Sequence, residues 1–561
     1  MTTPAAPSGV AVVDRLTRDR GARLELIGVS LVINLLGLAL PLVLLQVYDR
    51  VIPYRAPETL VALALIVIAA CVIETVLRLG RAALTARLGA GLEHRLGVAA
   101  VGHLFRSDVA RLEAAGCGTL FERLNAIPAL RERMAGDVGL IASELAFVPL
   151  FLILLAHLGG WLALAPIAVL ALLALAAPIA AGTVRAAFAR HAENEDRRSA
   201  FLISAFNAVR GIKCIAAEPP LEEQYRRLDR ARGASAIAAE RQSAAAGDLA
   251  ATLGQAGIVA TSAFGAAMVV DGALSAGALA ACILLAGRAL QPAQRAVTLW
   301  PRAEAATLGR DRLAALFELP VAPVGGRIAG PIRGQVSLRD VAVGVSDAGG
   351  PVLAGINLSV RPGEMVALVG PNGCGKTLLL SVIAGLARPS AGTVLIDGRP
   401  LDDHDPGGLR RSIAYLAQHE TLFQGSIMDN LTMFRPHAEQ RALAAAAFIG
   451  LADEVRAMPA GFDTAVGAGR AHGISRCLAQ RIAIARALVD RPRLVIFDEA
   501  NSELDAAADD KLKVALAALR GRCTVIIAGY RPSILRLADR IHDVGSGSVD
   551  PGGLTVRAAA P

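Results

Sequence analysis

Residues 370–377 read GPNGCGKT and have the spacing of a phosphate-binding loop. The stretch MVALV before them is typical of a strand, and LLLSVIAGL after them is typical of a helix. In such a loop, glycines let backbone N–H groups surround phosphates, a lysine reaches the terminal phosphates, and a Thr hydroxyl ligates Mg²⁺. The predicted nucleotide-binding residues are Gly370, Asn372, Gly373, Cys374, Gly375, Lys376, Thr377 and Leu378.

A second apolar stretch, RLVIFDEA, ends at Asp498 and Glu499. An acidic residue at the end of such a strand is placed to hold Mg²⁺, and the next carboxylate can orient the attacking water as a base. Either acid alone would be a solvated strand end. Together with the phosphate loop, they predict hydrolysis of ATP, with ATP and Mg²⁺ bound, Lys376 and Glu499 as catalytic residues, and Thr377 and Asp498 as metal ligands.

The bulk composition places part of the chain in a membrane. Of its 561 residues 54% are hydrophobic, and the mean hydropathy is +0.50, which is too apolar for an ordinary soluble protein. We interpret the net charge of +8 as the arginine bias of cytoplasmic loops and expect no nucleic-acid partner. The seven cysteines are scattered without metal-ligand spacing and are expected to be reduced thiols.

Six apolar segments approach the roughly 20 residues that a spanning helix needs. They are residues 26–48, 59–79, 138–158, 161–181, 245–270 and 273–290. The long gaps at 81–137 and 182–244 are rich in arginine, which places them and the N-terminus in the cytoplasm. Their helical periodicity predicts cytosolic extensions of the spanning helices, with turns near 116–118 and 218–220. The first twenty residues show no cleavable signal sequence, and we expect a multi-pass protein of the inner (plasma) membrane, surrounded by lipid.

A Pro/Gly-rich break at 319–334 separates the apolar part from alternating short strands and helices. The predicted fold class is therefore a six-span helical membrane domain followed by an α/β P-loop nucleotide-binding domain. The predicted limits are 1–22 for an N-terminal segment, 23–318 for the membrane domain, 319–334 for a linker, 335–545 for the nucleotide-binding domain and 546–561 for a tail. Glu74, Glu144 and Asp248 lie in or beside apolar segments, and structural ion pairing is expected for them.

With these motifs, the chain resembles an ATP-binding cassette exporter half-transporter. Gln418 in YLAQHETLF matches the Q-loop of that family, and NSELD at 501–505 matches its D-loop. Residues 41–60 and 283–295 resemble the type I secretion exporters. The resemblance implies a homodimer or heterodimer with a second half-transporter, a membrane-fusion adaptor, an outer-membrane channel and a polypeptide cargo. It also implies that Gln418 serves catalysis and the metal, and that Asp505 and Ser475 contact nucleotide.

Several positions depart from the family pattern. The signature LSGGQ is replaced by ISRCL at 474–478, Tyr530 stands where the family has a switch histidine, and Val345 stands where an adenine-stacking aromatic is expected. A glutamate usual before the signature is absent near Ala468. The two glycines of the LSGGQ signature let a helix N-terminus approach the γ-phosphate. In this chain the side chains of Arg476 and Cys477 stand in their place and obstruct that approach.

We interpret the sequence as an ATP-dependent exporter subunit for polypeptide secretion, with slowed hydrolysis or reliance on a partner. Two alternatives stay open. One is an exporter of lipid or a small amphiphile. The other is a non-hydrolysing structural or regulatory subunit of a heterodimeric transporter.

Overall fold

The structure is a computed structural model of the chain and describes residues 8–17, 20–321, 332–344, 352–418, 421–467 and 474–544. Contacts divide the chain into two compact units, the first formed by residues 1–107 and 111–320 and the second by residues 321–561 with the short segment 108–110; the main division is between residues 320 and 321. This division falls within the predicted linker, of which residues 322–331 lie outside the described residues, as does the predicted tail. The predicted domain limits therefore stay predictions.

The part before residue 320 is helical throughout its described residues. Its α-helices are α1 (Gly9–Thr17), α2 (Arg20–Leu36), α3 (Ala39–Gln46), α4 (Ile52–Tyr54), α5 (Pro57–Leu104), α6 (Val109–Ala115), α7 (Cys117–Leu124), α8 (Ile127–Ala135), α9 (Asp137–Leu145), α10 (Val148–Gly159), α11 (Leu164–Asn207), α12 (Val209–Cys214), α13 (Glu218–Val270) and α14 (Ala276–Phe317).

Five helical stretches of the described residues are long and apolar enough to cross a membrane: Leu24–Tyr54, Pro57–Leu104, Cys117–Asn207, Glu218–Val270 and Ala276–Phe317. The stretch Cys117–Asn207 contains two of the six predicted spans, one on each side of a 3₁₀ turn at Gly160–Ala163. Gly160 has φ +57° there, a conformation that favours glycine. Val148 of α10, before the turn, and Ala177 of α11, after it, line one cavity together with Ala293 and Val297 of α14.

The long helices α5, α11 and α13 continue well beyond the predicted spans, as their periodicity indicates. The second gap turns just before Glu218, where Ala216 has φ +51°. The first gap differs from the expected continuous arm, because after α5 the chain forms the short helices α6 to α9. Gly116 with φ +75°, Pro128 in the first turn of α8 and the extended Gly136 interrupt them.

The core of this unit is built around α14. Leu38 just before α3, Phe151 and Leu155 of α10, and Cys282 and Leu285 of α14 form one buried cluster. Small residues on α13 allow close packing: a Cβ on Gly257 would lie 3.0 Å from Val169 and 3.1 Å from Leu290. Of the three ionisable residues singled out above, Glu74 pairs with Arg78 and Glu144 pairs with Arg295.

The second unit is α/β. Its strands are β1 (Val336–Val343), β2 (Leu353–Val360), β3 (Met365–Val369), β4 (Ala391–Ile396), β5 (Arg399–Pro400), β6 (Ile413–Leu416), β7 (Gly425–Ser426), β8 (Ala465–Val466), β9 (Leu494–Asp498), β10 (Thr524–Ala528) and β11 (Arg540–Asp543). Its α-helices are α15 (Lys376–Ile383), α16 (Pro406–Ser412), α17 (Ile427–Thr432), α18 (Glu439–Phe448), α19 (Ala452–Arg456), α20 (Arg476–Leu488), α21 (Ala506–Leu519) and α22 (Pro532–Leu535).

A five-stranded parallel sheet positions the predicted site. Its strand order is β11-β3-β10-β9-β6, and an antiparallel sheet of order β2-β1-β4-β5 accompanies it. Strands β9 and β10 are buried along their whole length, as expected for apolar runs covered on both faces. Because the strands are parallel, the segments after β3, β6, β9 and β10 meet at the same edge of the sheet. These findings confirm the predicted fold class.

Candidate nucleotide-binding site

The phosphate-binding loop follows β3 directly and ends at the first residue of α15. Gly370, Gly373 and Gly375 have φ values of +151°, +80° and +96°, which L side chains rarely adopt. A Cβ on Gly375 would also lie 3.0 Å from Leu353. Glycine is thus required at these positions to turn the loop and to point backbone N–H groups into it, at the positive end of α15.

Lys376 is buried, with 7% of its surface exposed, and its ammonium group is held by the loop itself. Its Nζ donates to the carbonyl oxygens of Gly370 at 2.9 Å and Pro371 at 3.1 Å, and to the hydroxyl of Tyr530 at 2.5 Å. The Tyr530 ring centroid is 4.5 Å from Nζ, within the range of a cation–π contact. The Tyr530 hydroxyl in turn donates to Asn372 Oδ1. Tyr530 therefore contacts the phosphate-binding loop at two places, Asn372 and Lys376.

The residues predicted to bind Mg²⁺ lie together at the ends of two elements. The Thr377 hydroxyl, at the start of α15, donates to Asp498 Oδ1 at 3.1 Å, and Asp498 is buried at the end of β9. Oxygen ligands of these two kinds are those that Mg²⁺ takes beside a nucleotide, so the pair fits the ion. When bound, Mg²⁺ would neutralise charge that develops on the phosphates.

Glu499 is presented by an unusual backbone. It has φ +50°, in the left-handed region that non-glycine residues seldom occupy, and its N–H donates to the carbonyl oxygen of Ala528 at 3.0 Å. Its carboxylate accepts a hydrogen bond from Gln418 Nε2 at 3.2 Å. The structure thus brings together the predicted base and the predicted Q-loop glutamine, with Asp498 one residue away. This backbone strain at a candidate base is the pattern seen at functional sites.

Two residues outside the sequence prediction support these side chains. Tyr415, in β6 beside β9, donates from its hydroxyl to Asp498 Oδ2 at 2.9 Å. Gln480, buried in α20, donates to the carbonyl oxygens of Ala417 at 3.0 Å and Ala500 at 2.9 Å. Gln480 thereby fixes the residues next to Gln418 and Glu499. The sequence signal for Tyr415 was its place in YLAQHETLF, three residues before Gln418, whereas a buried glutamine inside a helix gave no such signal.

The signature segment begins helix α20 with bulky side chains. Ser475 caps the helix by accepting a hydrogen bond from the Leu478 N–H at 3.1 Å. Arg476 is mostly exposed, and its guanidinium lies 3.5 Å from the carboxylate of Glu503. In the D-loop, Asp505 caps α21 by accepting from the Ala508 N–H at 2.8 Å. Among the described residues, neither Ser475 nor Asp505 hydrogen-bonds the phosphate-binding loop of its own chain.

A hydrogen-bond network around the buried Asp509 connects the D-loop to the segment after Tyr530. Asp509 accepts from Asn501 Nδ2 at 2.9 Å and from the Ser533 hydroxyl at 2.9 Å. Arg531 donates to the carbonyl oxygen of Ser502 at 3.1 Å.

The departures predicted at Val345 and near Ala468 lie outside the described residues.

Two family models match the chain. The model for the ABC transporter transmembrane region covers residues 24–292, and the ABC transporter model covers residues 353–502. The first falls on the helical unit and the second on the sheet that carries the phosphate-binding loop, Asp498 and Glu499. The protein therefore belongs to the ABC transporters, whose ATP-binding domain couples ATP hydrolysis to transport.

Within that family, the chain is homologous to the ATPase-permeases of type I secretion. It is 29% identical to the alpha-hemolysin translocation ATP-binding protein HlyB of Escherichia coli O157:H7, over 96% of this chain and 77% of that protein. It is also 29% identical to the cyclolysin secretion/processing ATP-binding protein CyaB of Bordetella pertussis, over 96% of this chain and 76% of that protein. A solved structure of a bacterial Atm1-family ABC exporter with ATP bound has the same fold, with a TM-score of 0.82, 21% identity and 95% of each chain covered.

Proposed function

We propose that this protein is the permease-ATPase subunit of an inner-membrane exporter that secretes a polypeptide and hydrolyses Mg·ATP slowly. The observation that carries the proposal is the convergence of Lys376, Thr377, Asp498, Glu499 and Gln418 at one sheet edge. The homology to HlyB and CyaB supports a polypeptide as the cargo. On that proposal, a membrane-fusion adaptor and an outer-membrane channel complete the export path.

The proposed working unit is a dimer. Ser475 and Asp505 both cap helices and, among the described residues, make no hydrogen bond to their own phosphate-binding loop. This is consistent with a site completed by the signature helix of a second half-transporter, in a homodimer or a heterodimer. The arginine-rich gaps, with the N-terminus and the nucleotide-binding domain, are assigned to the cytoplasm.

The proposed slow hydrolysis follows from the chemical groups that the signature segment and Tyr530 present to the γ-phosphate. Arg476 and Cys477 place side chains where glycines would let backbone N–H groups approach. Tyr530, in the switch position, engages Lys376 and Asn372. Losing one preorganised donor to the transition state costs about 10²- to 10³-fold in rate, so ATP binding survives while turnover falls.

The test is the ATPase activity of the purified full-length chain in lipid nanodiscs. We expect nucleotide-dependent stabilisation against heat and a measurable, slow turnover that Glu499→Gln abolishes. Turnover as fast as that of an exporter with the full LSGGQ and histidine motifs would remove slow hydrolysis from the proposal. The absence of any stabilisation by Mg·ATP in folded protein would remove the exporter function itself.

A second candidate, a subunit that relies on a more competent partner, is favoured by the ion pair between Arg476 and Glu503. This pair holds a bulky charged group at the start of the signature helix, so the site to which this helix contributes is impaired. A conventional partner would supply an intact signature to this chain's phosphate-binding loop. Copurification of a second half-transporter from native membranes, with faster turnover in the mixed dimer than in the homodimer, tests this candidate.

A further inference from the structure

A cavity of about 380 Å³ lies between helices of the first unit and is lined mainly by charged and polar residues. Four of its ten lining residues are arginines, and one is an acid. These charged residues are Arg78 and Arg81 of α5, Glu144 of α9, and Arg288 and Arg295 of α14. All of them belong to helical stretches that are long and apolar enough to cross a membrane.

The arginines that line this cavity, called the arginine cavity below, outnumber the carboxylates that pair with them. Glu144 is shared, because its carboxylate lies 3.4 Å from Arg295 and 4.0 Å from Arg81. Arg78 pairs with Glu74 at 2.5 Å. Among the described residues Arg288 has no ion-pair or hydrogen-bond partner. Four guanidinium groups therefore meet two carboxylates, which leaves two positive charges for a ligand to neutralise.

Arg78 and Arg288 lie at the ends of the predicted spans 59–79 and 273–290, and Arg81 and Arg295 follow them on the same helices, at the level expected for lipid headgroups. The planar fork of a guanidinium matches the oxygens of a phosphate group, and several such forks around one cavity favour an anion with several oxygens. Basic pockets between spanning helices are suited to anionic headgroups for this reason. The chemistry of the arginine cavity therefore selects a phosphate-bearing ligand.

The apolar residues in and near the cavity indicate where that phosphate comes from. Ile33 and Phe151 line the cavity beside the arginines, and on the helices α2 and α5, which contribute to the lining, Leu35 and Leu79 are 58% and 67% exposed. In a membrane protein such exposed apolar side chains suit acyl chains, whereas a small soluble anion has no apolar group to place against them. We propose that the arginine cavity binds the phosphate group of an anionic phospholipid.

The experiment uses the full-length chain in neutral detergent, titrated with fluorescent phosphatidylglycerol. Arg288→Gln removes an unpaired guanidinium, and we expect it to weaken binding about ten-fold, as loss of a charge-assisted contact to phosphate should. Arg288→Lys keeps the positive charge but lacks the planar fork of the guanidinium, so its affinity for the lipid should lie between those of the unmodified chain and Arg288→Gln. Arg302→Gln is the control, because Arg302 is on the same helix, pairs with Glu132 and does not line the cavity.

Competition identifies the source of the phosphate. Unlabelled phosphatidylglycerol should displace the probe, and phosphatidylcholine, inorganic phosphate and an acidic peptide should not. The proposal is overturned if Arg288→Gln binds like Arg302→Gln, or if phosphatidylcholine competes equally well. Displacement by inorganic phosphate would assign the cavity to a soluble anion, and displacement by the peptide to an acidic polypeptide. Retained thermal stabilisation by Mg·ATP in each variant shows that it is folded.

Discussion

The hydroxyl oxygen of Tyr530 lies 2.5 Å from the ammonium nitrogen of Lys376, the residue that reaches the terminal phosphates in this motif. The loop carbonyls of Gly370 and Pro371 accept from the same nitrogen, so the three donors of the ammonium group are all engaged within the chain. Nucleotide binding therefore requires exchange of at least one of these hydrogen bonds for a bond to phosphate.

Tyr530→Phe tests this competition directly. The variant keeps the ring over Lys376 but removes the hydroxyl that bonds it. Because a hydrogen bond to a charged group contributes about 1.5–3 kcal/mol, its loss in the free protein should raise ATP affinity about ten-fold. Titration with a fluorescent ATP analogue measures this, and Tyr225→Phe, in α13, is the control. Weaker binding in Tyr530→Phe would instead show that the hydroxyl helps to hold the nucleotide.

Glu499→Gln tests the assignment of the base. The amide keeps the size of the side chain and cannot accept a proton, so hydrolysis should fall about 10²-fold or more while ATP affinity changes little. Phosphate release and nucleotide titration measure the two quantities. The matched control is Glu439→Gln on α18, which is exposed and outside the site. Equal turnover in the two variants would move the base to another residue.

The double variant Arg476→Gly/Cys477→Gly tests the signature segment. Removing both side chains should raise the homodimer's turnover about ten-fold or more, because backbone N–H groups at the start of α20 can then approach the γ-phosphate. Adding Tyr530→His should raise it further. Glu503→Gln breaks the ion pair with Arg476 but keeps the bulk, so its turnover should match that of the unmodified chain. An unchanged rate in the double variant would show that these side chains do not limit hydrolysis.

Alkylation of Cys374 tests whether the phosphate-binding loop closes around nucleotide. Cys374 is half-buried in the loop, and ATP should protect it from a maleimide at neutral pH. Burial raises the pKa of the Cys523 thiol to about 12, so that thiol stays protonated and should react slowly with or without ATP. Mass spectrometry of digests measures both sites, with Cys374→Ala as the control. Equal labelling of Cys374 with and without ATP would contradict the assignment.

The sequence determined most of the architecture because its signals are local. The spacing of Gly370, Gly375, Lys376 and Thr377 requires a loop of one shape, and long apolar runs have few other stable solutions than membrane spans. The alternation of short strands and helices after the Pro/Gly break similarly predicted an α/β domain. Each of these inferences depended on residues close together in the chain.

The tertiary structure decided what depends on residues far apart in the chain. The contact between Tyr530 and Lys376 joins residues 154 positions apart, and the bond from Tyr415 to Asp498 joins residues 83 apart. Tertiary packing also decided two features of the helical unit. It divides the first gap into the short helices α6 to α9, and it brings four arginines of two helices around one cavity: Arg78, Arg81, Arg288 and Arg295. Such partners are set by how helices and strands pack, and local propensity carries no record of that packing.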